Sequence, residues 1–389
     1  YTYSLQSLFL KNLINIKICI ALIFFAVALS PKISIEGVPI RLEDIFMIML
    51  CFSWFARLAI TKEPFPSTSL GKPIFIYLLV CFLASAFGYY KHTTEIFSSD
   101  TSMSAVYHFL KKVQIFIMAY IISSNVKTKK DLTLFIKIIL ISSTALAIYG
   151  FWQSFVEIRV FGPVGEGANT FGMYFVFVTI IAMGIFLSKL FPFNKFFLGL
   201  SILFYLYVIL RTLSRVSYIA FVITILLLGI FKDKRLLLFS ILLILLIFTL
   251  APPEVLERIH SVRSIFVSDE YLESWEARRD AWITIPPVVL RESPLLGFGL
   301  ASVPLSYAES EYVTDFYFTG ILGILAFIWL YLRVFKIALF LKRNGDETVK
   351  ELSIYFIGGL IAYLISGFSG PTFTAIRSAN IFWIFVGLL

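Results

Sequence analysis

Apolar segments long enough to cross a bilayer recur from one end of this chain to the other, and nothing constrains its fold more tightly. In hydrocarbon the backbone must satisfy its own amides and carbonyls, so each such segment reads as a helix. Crossing takes roughly 20 residues at a rise of about 1.5 Å each. On that ruler the sequence holds about twelve spans. They lie near 13–30, 40–60, 73–89, 104–124, 132–155, 169–190, 194–212, 213–231, 235–251, 312–341, 351–368 and 374–389. The division of 194–231 is the tightest, because "LRTLSRVS" leaves almost no connecting loop.

Composition agrees. Hydrophobic residues fill 59% of the 389 positions and charged ones 15%, too apolar for a soluble domain. The class is an all-α polytopic transmembrane bundle. The 42 Phe and 19 Tyr suit lipid-facing and interfacial surfaces. A net charge of +9 would point a soluble protein toward nucleic acid. Here much of it sits in short loops such as "VKTKKD" and "FKDKRL", where topology accounts for it, and no nucleic-acid partner is expected. Cys19, Cys51 and Cys81 fall in apolar segments without pairing or metal spacing. The opening "YTYSLQSLFLKNLINIK" has no small-residue cleavage site, so the first span is expected to act as an anchor.

Basic residues set the direction. With the N-terminus in the cytoplasm, the inner loops collect Lys11 and Lys17; Arg57, Lys62 and Lys72; Lys127, Lys129 and Lys130; Lys189 and Lys195; Lys232, Lys234 and Arg235; and Lys342, Arg343 and Lys350. Three parts follow: spans 1–9 over 1–251, an external loop over 252–311, and spans 10–12 over 312–389. The external loop mixes aromatics with charge at about helical spacing, broken by Pro and Gly. It is expected to form short amphipathic helices over the outer mouth of the bundle.

Against this regularity some arginines stand on the wrong side. Arg211 and Arg215 in "RTLSRVSY", and Arg278 and Arg279 in "EARRDAW", fall in or beside the outer loops. Arg215 is either a snorkelling side chain or an anion ligand. Arg211, four residues earlier, shares its face if the helix is continuous, and an anion between the two would relieve their repulsion. Arg278 stands four residues before Trp282, while Arg279 reads as a solvated charge. Glu309, Glu311 and Asp315 sit at the outer edge of the tenth span, where carboxylates either pair with arginine or serve as a base. Gly320 and Gly323 read as helix-packing positions. Lys111 and Lys112 lie inside the fourth span and require an acidic partner or a cavity. His92, His108 and His260 lack ligand spacing, and neither a metal nor a nucleotide motif is present.

Three stretches resemble the O-antigen polymerase and ligase superfamily of bacterial membrane glycosyltransferases. "TLSRVSYIAF" is similar to its Ser-Arg motif, and "RRDAWITIPPVVLRESPLLGFGL" to its Arg-x-x-x-Trp segment with a following Gly-x-Gly turn. "ESEYVTDFYFTGILG" is similar to the motif that opens the next span. The likeness covers roughly 150–340. It implies a GT-C-like helical bundle in the bacterial cytoplasmic membrane, with its site facing outward and no cofactor. In that picture Arg215 and Arg278 hold the diphosphate of an undecaprenyl-diphosphate-linked oligosaccharide, with Arg211, Arg279 and Arg159 as helpers. Glu309 would be the base, with Glu311 or Asp315 as substitutes. Ligases of the superfamily carry a histidine where this chain has Glu309, eleven residues before Gly320. Glu309-Ser310-Glu311-Tyr312 fits the acidic pattern of Wzy-type chain polymerases instead.

The reading is therefore a metal-independent, inverting polymerase that uses lipid-linked repeat units as donor and acceptor. A flippase and a chain-length regulator are the partners it would work beside. The rivals are a ligase acting on lipid A or protein, a transporter or flippase of the same lipid-linked sugar, and a solute carrier with an arginine-lined path. The transporter or flippase would show inverted repeats and Gly- or Pro-broken helices at mid-membrane, neither of which is clear in the sequence. The solute carrier would place its charges at midplane and not at the outer rim.

Overall fold

The computed structural model describes residues 16–29, 32–35, 38–62, 64–92, 99–163, 167–241, 253–257, 273–300 and 310–389. The fold is a polytopic helical bundle. In chain order it runs α1 (Ile16–Leu29), β1 (Lys32–Ile35), β2 (Val38–Arg41), α2 (Leu42–Thr61), α3 (Gly71–His92), α4 (Ser99–Asn125), α5 (Lys129–Gln153) and α6 (Ala168–Leu187). There follow α7 (Lys195–Arg211), α8 (Arg215–Phe231), α9 (Glu273–Glu292), α10 (Glu311–Asn344), α11 (Glu347–Ser366) and α12 (Ile376–Leu388). Residues 235–241 and 253–257 are helical, and the rest of the expected ninth span lies outside the described residues. Among the described residues seven helices are long and apolar enough to cross a membrane, and α1, α8 and α12 are shorter apolar helices.

Most predicted spans thus have their helix, including the tight pair at 194–231. A three-residue turn separates α7 from α8, with Leu213 at φ 50° and Ser214 capping α8. One expected outer loop differs. Strands β1 and β2 pair antiparallel as a small hairpin, with Ile33 opposite Ile40. The alternation Lys-Ile-Ser-Ile is ordinary strand chemistry in a connection too short for a membrane helix.

Burial grades outward from α6. In its membrane-length window 89% is buried, against 22% in α2, so α6 is the centre of the bundle. It packs on α7, α8, α11 and α12. Glycines permit the closest approaches: a Cβ on Gly184 would stand 2.3 Å from the Tyr355 ring, and one on Gly359 2.6 Å from Phe177. On α2 both faces are apolar, unlike those of a soluble helix. Ile45, Ile48, Phe52 and Phe55 face outward, as lipid contact demands, while Met47, Leu50 and Trp54 point in.

Contacts at one end of the bundle join the loops that the basic residues assign to a common face. Lys17 pairs with Asp131 at 2.6 Å, Lys232 with Glu351 at 2.7 Å, and Arg57 donates to Asn125 Oδ1 at 2.8 Å. Lys195 Nζ donates to the carbonyls of Ile185, Phe186 and Ser188, covering the electronegative end of α6. The opposite end gathers the hairpin, the start of α4, the 156–163 loop, the α7–α8 turn, α9 and the head of α10.

Above that end lies α9, longer than the short helices expected there. Pro286 and Pro287 stand inside it. They were expected to interrupt the helix, yet it continues. Prolines leave the carbonyls of residues 282 and 283 without their helical donors. Trp282 and Ile283 lie on an exposed stretch of the helix. Ala281, Ile285 and Val289, spaced at four, bury one stripe against Phe298 and Val313.

Candidate functional site

Two of the outward arginines are tied to one turn. Arg159 Nε donates to the Thr212 carbonyl at 2.8 Å and its Nη2 to Asn169 Oδ1 at 3.0 Å. The Val160 amide donates to the Arg211 carbonyl at 3.0 Å. Arg211 Nη2 in turn reaches the Ser154 carbonyl at 2.9 Å, with Glu254 3.9 Å from its Nη1. Both guanidiniums therefore fasten the 154–160 segment to the α7–α8 turn. Arg215 is the first residue of α8, directly after its cap. Because Thr212–Ser214 interrupts the helix, Arg211 and Arg215 do not share a continuous helical face. Arg278 lies on α9 with Trp282 four residues on, and Trp282 stacks on Phe368 with centroids 5.9 Å apart. Arg279 on the same helix is exposed.

The head of α10 is a separate half-helix. At Gly320 the backbone leaves the helix, with φ 63° and ψ −160°. Two helical hydrogen bonds, from 321 to 317 and from 322 to 318, are lost there. The segment Pro294–Gly299 replaces both. Phe298 and Gly299 amides donate to the Tyr317 and Phe318 carbonyls, each at 2.9 Å. Ile321 and Leu322 amides donate to Pro294 and Leu295 at 2.9 and 3.1 Å. Every backbone group freed by those two lost bonds is thereby satisfied, as hydrocarbon requires. Gly320 was read as a helix-packing residue; its role is this break. A Cβ there would stand 2.6 Å from the Leu295 backbone.

This clasp fixes where the α10 carboxylates point. Glu311, 1% exposed, accepts on Oε2 from the Phe373 amide at 3.1 Å, the Thr374 amide at 3.3 Å and the Thr374 hydroxyl at 3.2 Å. It stitches α10 to the α11–α12 turn. Asp315, also 1% exposed, faces α3 and α4. The Tyr77 hydroxyl donates to its Oδ2 at 3.1 Å, and Lys112 Nζ stands 3.5 Å from its Oδ1. Lys112 also donates to the Tyr77 oxygen at 2.8 Å. Glu309 lies outside the described residues, as does His260.

Asp315 and Lys112 line a cavity of about 360 Å³. Its other walls come from Arg41, Tyr107, His108, Lys111 and Gln114, from Thr170 and Leu300, from Thr314 and Phe318, and from residues 371–380 of the last turn and α12. Lys111 pairs with Asp44, which also accepts from Gln114 Nε2 at 3.0 Å. Arg41 stands 3.5 Å from Glu43. The two lysines that looked misplaced in the fourth span thus have both the acidic partners and the cavity they require. None of Arg159, Arg211, Arg215, Arg278 and Arg279 lines it.

Of the sequence-predicted residues, the structure brings Asp315 to the cavity and joins Arg159 with Arg211 at one turn. Tyr77, Arg41 and Asp44 went unnoticed. A charge three residues from another at the start of an apolar span was the available signal for Arg41 and Asp44; Tyr77 gave none. Among the described residues no group of His, Cys, Asp and Glu could hold a metal ion.

Residues 200–328 match the family model described as O-antigen ligase, about a third of the chain. The match spans α7, α8, α9, the clasp and the half-helix with Asp315, and leaves Tyr77 and Lys112 outside. No curated protein matches the chain.

Proposed function

We propose, with the chain's place in the O-antigen polymerase and ligase superfamily of glycosyl-transferring membrane enzymes as premise, that it joins lipid-linked oligosaccharide repeat units into a polysaccharide. The observation that carries the reading is a cavity sunk among apolar helices, with a carboxylate from the matched stretch on its wall.

The chemistry is a displacement at the anomeric carbon. The donor glycan hangs on undecaprenyl diphosphate, already a good leaving group. Neither a nucleotide sugar nor a metal therefore enters the scheme. Arg215 and Arg278 grip the diphosphate and offset the charge that grows on it as the glycosidic bond breaks. The acceptor hydroxyl attacks from the opposite side, inverting the centre, while a carboxylate at the head of α10 takes its proton. The reaction runs on the outer face of the cytoplasmic membrane, where the positive-inside rule puts this end of the bundle. Glu309-Ser310-Glu311-Tyr312, with no histidine, favours chain extension over the ligase reaction on lipid A or protein.

A deletion strain tests the reading. Loss of a polymerase leaves single repeat units on the lipid, loss of a ligase leaves long chains on it, and loss of a flippase leaves single units inside the cell. We expect single units outside. Complementation with Arg215→Ala or Arg278→Ala should insert normally and give no glycan ladder. Full ladders from both variants would overturn the arginine clamp.

A further inference from the structure

Three helices far apart in sequence each send one buried polar group to a common cluster, of which Lys112 and Asp315 line the cavity and Tyr77 stands behind them. Tyr77 comes from α3, Lys112 from α4 and Asp315 from the half-helix of α10. Their hydrogen bonds run one way: Lys112 donates to the Tyr77 oxygen at 2.8 Å, and the Tyr77 hydroxyl donates to Asp315 Oδ2 at 3.1 Å. Lys112 also lies 5.1 Å above the Tyr77 ring. The carboxylate is the terminal acceptor of this chain, and it opens on the cavity.

We infer that this cavity is the acceptor subsite, that Asp315 is the base toward the attacking sugar hydroxyl, and that Lys112 and Tyr77 are positioning residues. The inference rests on the polymerase reading above.

The cavity's chemistry suits a sugar. Its walls offer the rings of Tyr107, Phe318 and Phe373 beside the side-chain amides of Gln114 and Asn380. Aromatic faces with a few polar groups are what a ring of hydroxyls and C–H bonds needs. The walls are poorly suited to a diphosphate, because the cations are matched locally: Lys111 with Asp44, Lys112 with Asp315, Arg41 beside Glu43. The diphosphate arginines line none of it.

Of the two described carboxylates there, only Asp315 lines the cavity. Glu311 spends Oε2 on three donors from residues 373 and 374 and is absent from the lining. In the step, the acceptor O–H proton passes to Asp315, and the freed electron pair forms the bond to the anomeric carbon. The diphosphate leaves with the electron pair of the old glycosidic bond.

The test uses purified protein in micelles with lipid-linked repeat units extracted from the deletion strain. Asp315→Asn should lower kcat about 100-fold or more, the usual weight of a general base, with KM little changed. Tyr77→Phe should lower kcat by less. Lys112→Arg should retain a large share of the activity that Lys112→Met loses. Because unpairing a buried charge can unfold the protein, the deciding variant is Asp315→Asn with Lys112→Met, which removes both charges together. We expect it to melt near the wild-type temperature and make no polymer. Recovery of polymer in that double variant makes the pair a structural ion pair and overturns the inference alone. A wild-type protein that makes no polymer from these units overturns the polymerase reading together with it.

Discussion

At the scale of the residue, the chain is most exacting where backbone meets backbone. Gly320 holds a left-handed φ against the Leu295 carbonyl, with no side chain to yield. Gly320→Ala should therefore cost about 1–3 kcal/mol from the strained conformation alone, with the clash added. A thermal melt of the purified variant measures this, and an unchanged melting temperature would show that the break relaxes freely. This residue also marks a limit of the sequence. Gly-x-x-Gly in an apolar run reads as a helix crossing, and the break becomes visible only with its partner segment at 294–299. Lys112 taught the converse. Its cost in hydrocarbon made it conspicuous in the sequence, yet its partner is 203 positions away. Nothing local could have supplied Asp315 over Glu309 or Glu311.

Elements were far more legible than their contacts. A helix that must be apolar for about 20 residues announces itself by composition, so spans could be placed to within a few residues. Elements outside the bilayer carry no such ruler. The β1–β2 hairpin and the unbroken α9 escaped for that reason, since their stability comes from pairing and from one packed stripe. The clasp depends on α3 as well as α10. A Cβ on Gly88 would stand 2.1 Å from the Phe298 carbonyl. Gly88→Leu should lever α3 from the clasp and disturb Leu300, a wall of the cavity. We expect glycan ladders to shorten or vanish with the protein still in the membrane, measured beside membrane-fraction abundance; full ladders would mean that the clasp tolerates the shift.

For the molecule as a whole, the two ends of the bundle differ in kind. One is fastened by exposed or half-exposed lysine pairs near the basic loops. The other sinks charges inward, around a cavity. By the positive-inside rule the first end is expected to be the cytoplasmic one. With Cys19, Cys51 and Cys81 replaced, a cysteine at exposed Glu157 should react with an impermeant maleimide in intact spheroplasts. One at exposed Lys62 should react only after permeabilisation. The reverse pattern would turn the protein over and move the chemistry to the cytoplasm.

The cavity draws its walls from residues 41 to 380, with α12 supplying one side. A ribosome delivers those walls in order, so Lys112 enters the bilayer roughly two hundred residues ahead of its carboxylate. Until α10 arrives the nascent bundle carries a lysine without that counter-charge, and until α12 arrives the chamber has an open side. Maturation of the binding chamber is thus a late event in synthesis, and a chain stalled before α12 would insert its earlier helices while lacking a closed place for a sugar.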